Sequence, residues 1–407
     1  MRNIIKFRRE IMVILLILKI MVQTSCQEAK RFEISGDDRT PPGQPVFVDS
    51  EPLLGGARVF FRPPADEDLL YVEASYVNHA GKRLRFAASY FTHYVDVNGF
   101  GNEGAHAIEL CAVDRAGNRS ESVPITVTSL EPVAASVAKS LDVLSSFASM
   151  LLKWTNVATE PVFVWVDIVY TQNGAPHEHT IVFNTQQTET RFIEGLNLYA
   201  HEPISVKVNV RDKYDNVVHA KDTTIILLTD EIIDKERWRA PEGGTIQGGG
   251  ITQVSGLRMD VIFDGIVDID VENYFITSQD NPWNLIINLV DEYELSRIVT
   301  HQRWTGFGST WGQVDFRGNL YRGDNVLTYN VYGWDEVGNR WELFSRVEIN
   351  EPAVKDATEF TILGKEGDMA FLYPEEPRFS RPTRWLRLEA IEGKWISEIT
   401  LYGRRAR

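Results

Sequence analysis

Short runs of alternating apolar and polar residues recur along the chain, at the period of two that puts every second side chain on one face of a strand. Leu70 to Val77 alternates, and the turn Asn78-His79-Ala80-Gly81 leads into Leu84-Arg85-Phe86, which predicts a hairpin. Ile108, Leu110 and Ala112 fall on one face of the next strand, with Cys111 on the other. Val162 to Tyr170 is rich in Val and aromatics, and Asn173-Gly174 marks a tight turn before a returning strand at Thr180 to Phe183. Ile204 to Val210 alternates, and Thr223 to Leu228 reads as a further strand. Val137 to Leu152 is helical by composition, but a strand–loop–strand reading suits a sandwich better. Three strands end alike, in Asp114-Arg115-Ala116-Gly117-Asn118, Asp212-Lys213-Tyr214-Asp215-Asn216 and Asp335-Glu336-Val337-Gly338-Asn339. Gly, Asn and Asp tolerate the positive φ that tight turns demand. The echo predicts antiparallel β-modules in series.

Breaks in composition divide these strands. Pro41-Pro42 opens a first module over 41–131, Glu131-Pro132 separates a second over 132–228, and a charged then glycine-rich stretch over 229–255 reads as a linker. Its five glycines between Pro241 and Gly250 lack the Gly-Lys-Ser/Thr of a phosphate loop. Residues 256–407 form a third unit. Before all of these, Arg2, Lys6, Arg8 and Arg9 precede a short apolar run from Met12 to Leu18, too short to span a bilayer. Val22-Gln23-Thr24-Ser25-Cys26 follows, and residues 27–40 are a polar tether. The run ending at Ser25-Cys26 resembles a bacterial lipoprotein processing site, so residues 1–26 read as a signal with lipid on Cys26.

Composition narrows the partners. The formal charge of −15 over 407 residues excludes nucleic acid as a ligand, since phosphate binding needs a basic surface. Two cysteines, Cys26 and Cys111, rule out a disulfide scaffold. There is no Gly-x-Ser-x-Gly elbow and no His-Glu-x-x-His helix, and no segment has the repeats that build a glycosidase cleft, so the expectation is a protein without catalysis. His177-Glu178-His179 puts two imidazoles on one strand face, but exposed polar residues are expected beside a turn, and a closed metal site needs more ligands.

The first unit, with its Ala112-Val113-Asp114-Arg115-Ala116-Gly117-Asn118-Arg119-Ser120 strand end, resembles fibronectin type III domains, and the second resembles them more loosely. In the third unit, Asp264-Gly265, Trp283, Leu285 to Leu289, Tyr329 to Trp334, Trp341, Arg384 to Leu388 and Glu398-Ile399-Thr400-Leu401-Tyr402-Gly403 occur in the order of the discoidin, or coagulation-factor type C, family. Asn288-Leu289-Val290 departs from its Asp-Leu-Gly, and Ile266 to Ser278 looks inserted. The expected fold is therefore all-β: serial sandwiches, two fibronectin type III or Ig-like modules followed by a discoidin-like jelly-roll. Trp283, Trp341 and Trp385 are expected in its core, Trp154 and Trp165 in that of the second module, and Trp238 in the linker.

The whole layout resembles lipoproteins of Bacteroidota polysaccharide-utilisation loci. That resemblance implies a lipid-anchored protein of the outer membrane, facing outward, which captures a polysaccharide or oligosaccharide and can meet transporter components. By family match, one structural calcium would lie on Asp264 and Glu398, hard oxygen ligands of the right kind. Binding in the family resides in end loops, here Gln302 to Asn325. Its candidate ligand residues are Arg303, Trp304, Trp311, Arg317 and Tyr321: rings to stack on a pyranose and guanidinium groups to donate to hydroxyls. A second reading makes the same aromatics a protein-docking surface, with the chain a structural lipoprotein.

Overall fold

The computed structural model describes residues 38–172, 174–195, 202–239, 259–267, 273–277, 280–304, 320–322, 324–353 and 357–407. The chain is all-β, with antiparallel sheets stacked as serial sandwiches. Cys26 and the leader lie outside the described residues, and no described helix is long and apolar enough to cross a membrane.

The first module runs through β1 (Val46–Leu53), β2 (Gly56–Arg62), β3 (Leu69–Val77), β4 (Arg83–Ser89), β5 (Tyr94–Asn98), β6 (Gly104–Asp114) and β7 (Val123–Ser129). Sheet β1-β2-β5 faces sheet β4-β3-β6-β7. Alternation builds the core between them: Ala57, Val59 and Phe61 from β2 meet Val72, Ala74 and Tyr76 from β3 and Ile108 and Leu110 from β6. Burying each large apolar side chain contributes roughly 1.5–3 kcal/mol. Cys111 is on the outer face, as its spacing predicts. It is nevertheless buried, because the Arg119 guanidinium covers it and donates to its Sγ at 2.8 Å and to Glu73 Oε1 at 2.5 Å.

The second module adds α1 (Val133–Ser140), β8 (Asp142–Ser146), β9 (Ser149–Trp154), β10 (Val162–Gln172), β11 (Ala175–Thr185), β12 (Glu189–Ile193), β13 (Ile204–Arg211) and β14 (Val217–Ile225). Here the strand–loop–strand expectation for Val137 to Leu152 holds from Asp142 onward, and only its first four residues are helical. Val133, Ala134, Val137 and Ala138 form a helical stripe that is buried, and only after Ser140 does the chain enter the β8–β9 hairpin. Sheet β11-β10-β13-β14 packs on β12-β9-β8. Val162, Val164, Val166 and Ile168 point inward, so Trp165 points outward and only Trp154 joins the core, contrary to the expectation for both.

The third module contains β15 (Glu231–Ile232), β16 (Phe275–Ile276), β17 (Trp283–His301), β18 (Thr328–Asp335), β19 (Arg340–Glu348), α2 (Ala357–Glu366), β20 (Asp368–Phe371), β21 (Thr383–Glu392), β22 (Trp395–Ile396) and β23 (Glu398–Arg405). The main sheet runs β15-β23-β17-β21-β18-β19, with β20 also on β17 and a small β16-β22 pair. β17 breaks register between Asn288 and Tyr293, where Val290 has φ 72°. Its first half pairs with β21 and its second half with β23 and β20, so one long strand turns a corner of the sandwich. Part of the expected linker belongs to this module: β15 pairs with β23, and Trp238 is fully buried in the core beside Val261, Ile262 and Trp283. Trp341 and Trp385 are only half-buried, and Trp334 takes the buried position, edge-on to Trp341 at 5.4 Å.

The three-fold echo resolves into two kinds of turn. Asn118 donates its backbone N–H to Asp114 Oδ1 (2.8 Å) and its amide to Oδ2 (2.9 Å), and Asn216 repeats both bonds to Asp212 at 3.0 and 2.8 Å. Asp335 instead accepts from the backbone N–H groups of Val337 and Gly338. Adjacent modules touch: Tyr214 packs on Gly99 and Phe86 of the first module, and Phe192 stacks on Phe371 of the third at 4.4 Å.

Candidate functional site

Past the end of β17, Asn325 grips the backbone of Arg303. Asn325 Oδ1 accepts from Arg303 N–H at 2.8 Å, and its Nδ2 donates to the Arg303 carbonyl at 3.0 Å. Asn325 is buried and bridges to Trp395, while Val326 N–H donates to the Trp395 carbonyl at 3.0 Å. Gly393 makes that closeness possible: its φ is 86°, and a Cβ there would collide with the Asn325 carbonyl.

The side chains above this junction converge. The Arg303 guanidinium lies 3.9 Å from the centre of the Tyr274 ring and 4.4 Å from that of Trp395. The two rings stand at 60° to each other with centres 6.3 Å apart. All three side chains are half-buried, and Trp395 Nε1 is buried without a hydrogen-bond partner among the described residues. A cation held over two aromatic faces gains roughly 0.5–2 kcal/mol for each contact. It also loses its freedom, so its planar donor fork is fixed in orientation.

The other predicted residues are placed differently. Trp304 lies against α2: a Cβ on Gly364 would come 2.6 Å from its ring. Tyr321 is held at φ 57°, donates its backbone N–H to Gln302 Oε1 at 2.6 Å and its hydroxyl to Asp368 Oδ1 at 3.1 Å, with its ring edge-on to Phe360. Gln302 Nε2 donates to the other Asp368 oxygen at 2.7 Å. Burial raises both the Tyr321 phenol and the Asp368 carboxyl above their ordinary values. Trp304 and Tyr321 thus sit on the α2 side of the module, apart from the Arg303 cluster. Trp311 and Arg317 lie outside the described residues. Tyr274 and Trp395 were missed because no spacing in the sequence joins positions 274, 303 and 395. The aromatic just ahead of the Glu398 strand motif was the one signal available.

Asp264 and Glu398 do come together, but among the described residues the groups around them do not fit a divalent cation. Glu398 is 2% exposed; its Oε2 accepts from Gly265 N–H at 3.3 Å, and its Oε1 binds the ammonium of Lys235. That ammonium also donates to the Ile399 carbonyl (3.1 Å) and to Thr400 Oγ1 (2.9 Å). Asp264 accepts from Ile266 N–H at 2.9 Å and from the Asn273 amide at 3.1 Å. A fixed positive charge stands beside the carboxylate that calcium would need. Burial pushes the Glu398 carboxyl up to about 7, because stripping its water outweighs the attraction of Lys235.

A different acidic group gathers at the first module, where oxygens of Asp38, Asp68 and Asp114 lie within 4.8 Å of one another and could hold an ion. The Asn118 amide already donates to both Asp114 and the Asp38 carbonyl. His177 stacks on Tyr170 at 5.8 Å, and His177 to His179 are exposed along β11.

A domain family of unknown function, DUF4959, matches residues 42–129. No curated protein matches the chain. Among solved structures, a SusE-like protein aligns over 68% of this chain and 100% of its own at 18% identity, with a TM-score of 0.35. A two-domain fibronectin type III segment of chicken tenascin aligns over 46% of this chain and 99% of its own at 15% identity and a TM-score of 0.22. CpGH89CBM32-6 from Clostridium perfringens aligns over 37% of this chain and 93% of its own at 14% identity and a TM-score of 0.21.

Proposed function

We propose that this is a non-catalytic glycan-binding protein of a bacterial cell surface, and that its third module takes the sugar at the rim formed by Arg303, Tyr274 and Trp395. The observation that carries the reading is the Arg303 guanidinium held between two rings. Pyranose rings present apolar C–H faces and a border of hydroxyls. Half-buried rings offer the first a surface, and a fixed donor fork offers the second directional bonds. Trp311 and Arg317 are proposed as further ligand residues. Lipid on Cys26 anchors the chain to the outer membrane, and the two preceding sandwiches space the site from it, within reach of transporter components.

Native gels cast with amylopectin, xyloglucan or galactomannan test the reading. At least one should retard the full chain, and Arg303→Ala or Trp395→Ala should reduce the retardation while the variants remain folded. Retardation identical in wild type and both variants removes the site from this role.

A further inference from the structure

The outward face of β11-β10-β13-β14 is not an ordinary solvated sheet face. Strand register places four cross-strand rows on it. Phe163 and Trp165 occupy consecutive outward positions on β10, a central strand, followed by Asp167 and Val169. Directly across, β13 presents Arg211, Asn209, Lys207 and Ser205, every one a hydrogen-bonding side chain. A column with two rings therefore runs beside a column of polar groups. Together they extend over about 20 Å at the ordinary rise of a strand.

Asp167, Lys207, Thr180 and Asp222 form one row, and a depression of about 690 Å³ opens over it and over Val169, Glu178, Ser205 and Thr224. Within that row Thr180 Oγ1 donates to Asp167 at 2.7 Å. Arg211 pairs with Asp215 and lies 5.9 Å from the Trp165 ring centre. Trp165 Nε1 has no hydrogen-bond partner among the described residues.

We infer that this face is a second glycan-binding surface, which takes a neutral polysaccharide laid along the strands. Over the depression Asp167, Glu178 and Asp222 outnumber Lys207, so the face disfavours a polyanion. Hydroxyl groups both donate and accept, and they suit such a mixed lattice. Phe163 and Trp165 supply the stacking surface that polar residues alone would lack. The surface is independent of Arg303. Two sites on one chain would raise retention on a polymeric ligand through effective concentration, with no new contact.

The test uses the full chain in native gels containing amylopectin, xyloglucan or galactomannan. Trp165→Ala should weaken apparent affinity for the retained polysaccharide by at least about fivefold, and Asn209→Ala, an outward change that leaves the core intact, should weaken it in the same direction. In an Arg303→Ala background the residual retardation should persist and then vanish on adding Trp165→Ala. If Trp165→Ala and Asn209→Ala both match wild type in either background, or if no gel retards the wild type, the inference is overturned. If Arg303→Ala has no effect while Trp165→Ala abolishes retardation, this face stands and the third-module reading falls.

Discussion

The side-chain nitrogen of Asn216 donates both to the Asp212 carboxylate at 2.8 Å and to the carbonyl of Gly99, in the preceding module, at 2.9 Å. The turn that closes one sandwich therefore also latches it to its neighbour. Asn78 completes the contact by donating to the Tyr214 carbonyl at 2.8 Å. Asn118, in the matching turn of the first module, likewise reaches back to the Asp38 carbonyl at 3.0 Å. Asn216→Ala removes both bonds from a buried group and should cost about 1–3 kcal/mol. Urea unfolding should show the loss, and limited proteolysis should show faster cleavage near Glu131-Pro132.

Lys235 occupies the side of Glu398 that a calcium ion would need. Melting of the third module should therefore be the same in chelator and in excess calcium. Lys235→Met leaves the buried Glu398 carboxyl without its cation, so the group takes up a proton and the module should be destabilised by about 1–3 kcal/mol. Adding Glu398→Gln should restore much of that loss. A third-module melting temperature that rises with calcium in the wild type and not in Glu398→Gln would contradict the assignment of Lys235 as the resident cation.

His301 should make stability depend on pH. Its ring is buried, its Nε2 faces the Lys365 carbonyl at 3.1 Å, and burial holds its pKa below the ordinary 6.5. The unfolded chain takes up a proton as pH falls past 6.5, while the native imidazole resists it. The contribution of His301 is therefore complete above pH 6.5 and is lost as pH drops through the lower native value. Thermal melts at pH 8 and pH 5.5 should show a smaller difference for His301→Gln, which keeps a donor for Lys365 but does not titrate.

The sandwiches were legible because period-two alternation and Asn-Gly turns are local signals. Alternation along Val162 to Ile168 even contained the outward placement of Trp165, although aromatic identity suggested core. Other features depend on contacts far apart in sequence. Trp238 and Lys235 sit in a charged, glycine-flanked stretch, and nothing local shows that Trp238 completes the core of the third module or that Lys235 pairs with Glu398, 163 residues on. The helix Val133–Ser140 was hidden because its apolar stripe is only two turns long. In the candidate site, Arg303 was flagged by its loop composition. Its partners Tyr274 and Trp395 come from an inserted segment and a strand border that only the fold brings together.

Equilibrium binding of a retained polysaccharide by the full chain, compared between wild type and Arg303→Lys, tests the central claim most directly. Lysine keeps the charge but loses the planar fork that stacks between Tyr274 and Trp395. Affinity at least about tenfold weaker, with the variant still folded at the assay temperature, is the predicted result. Equal affinity in the two proteins would contradict the claim that the held guanidinium is what the third module offers its ligand.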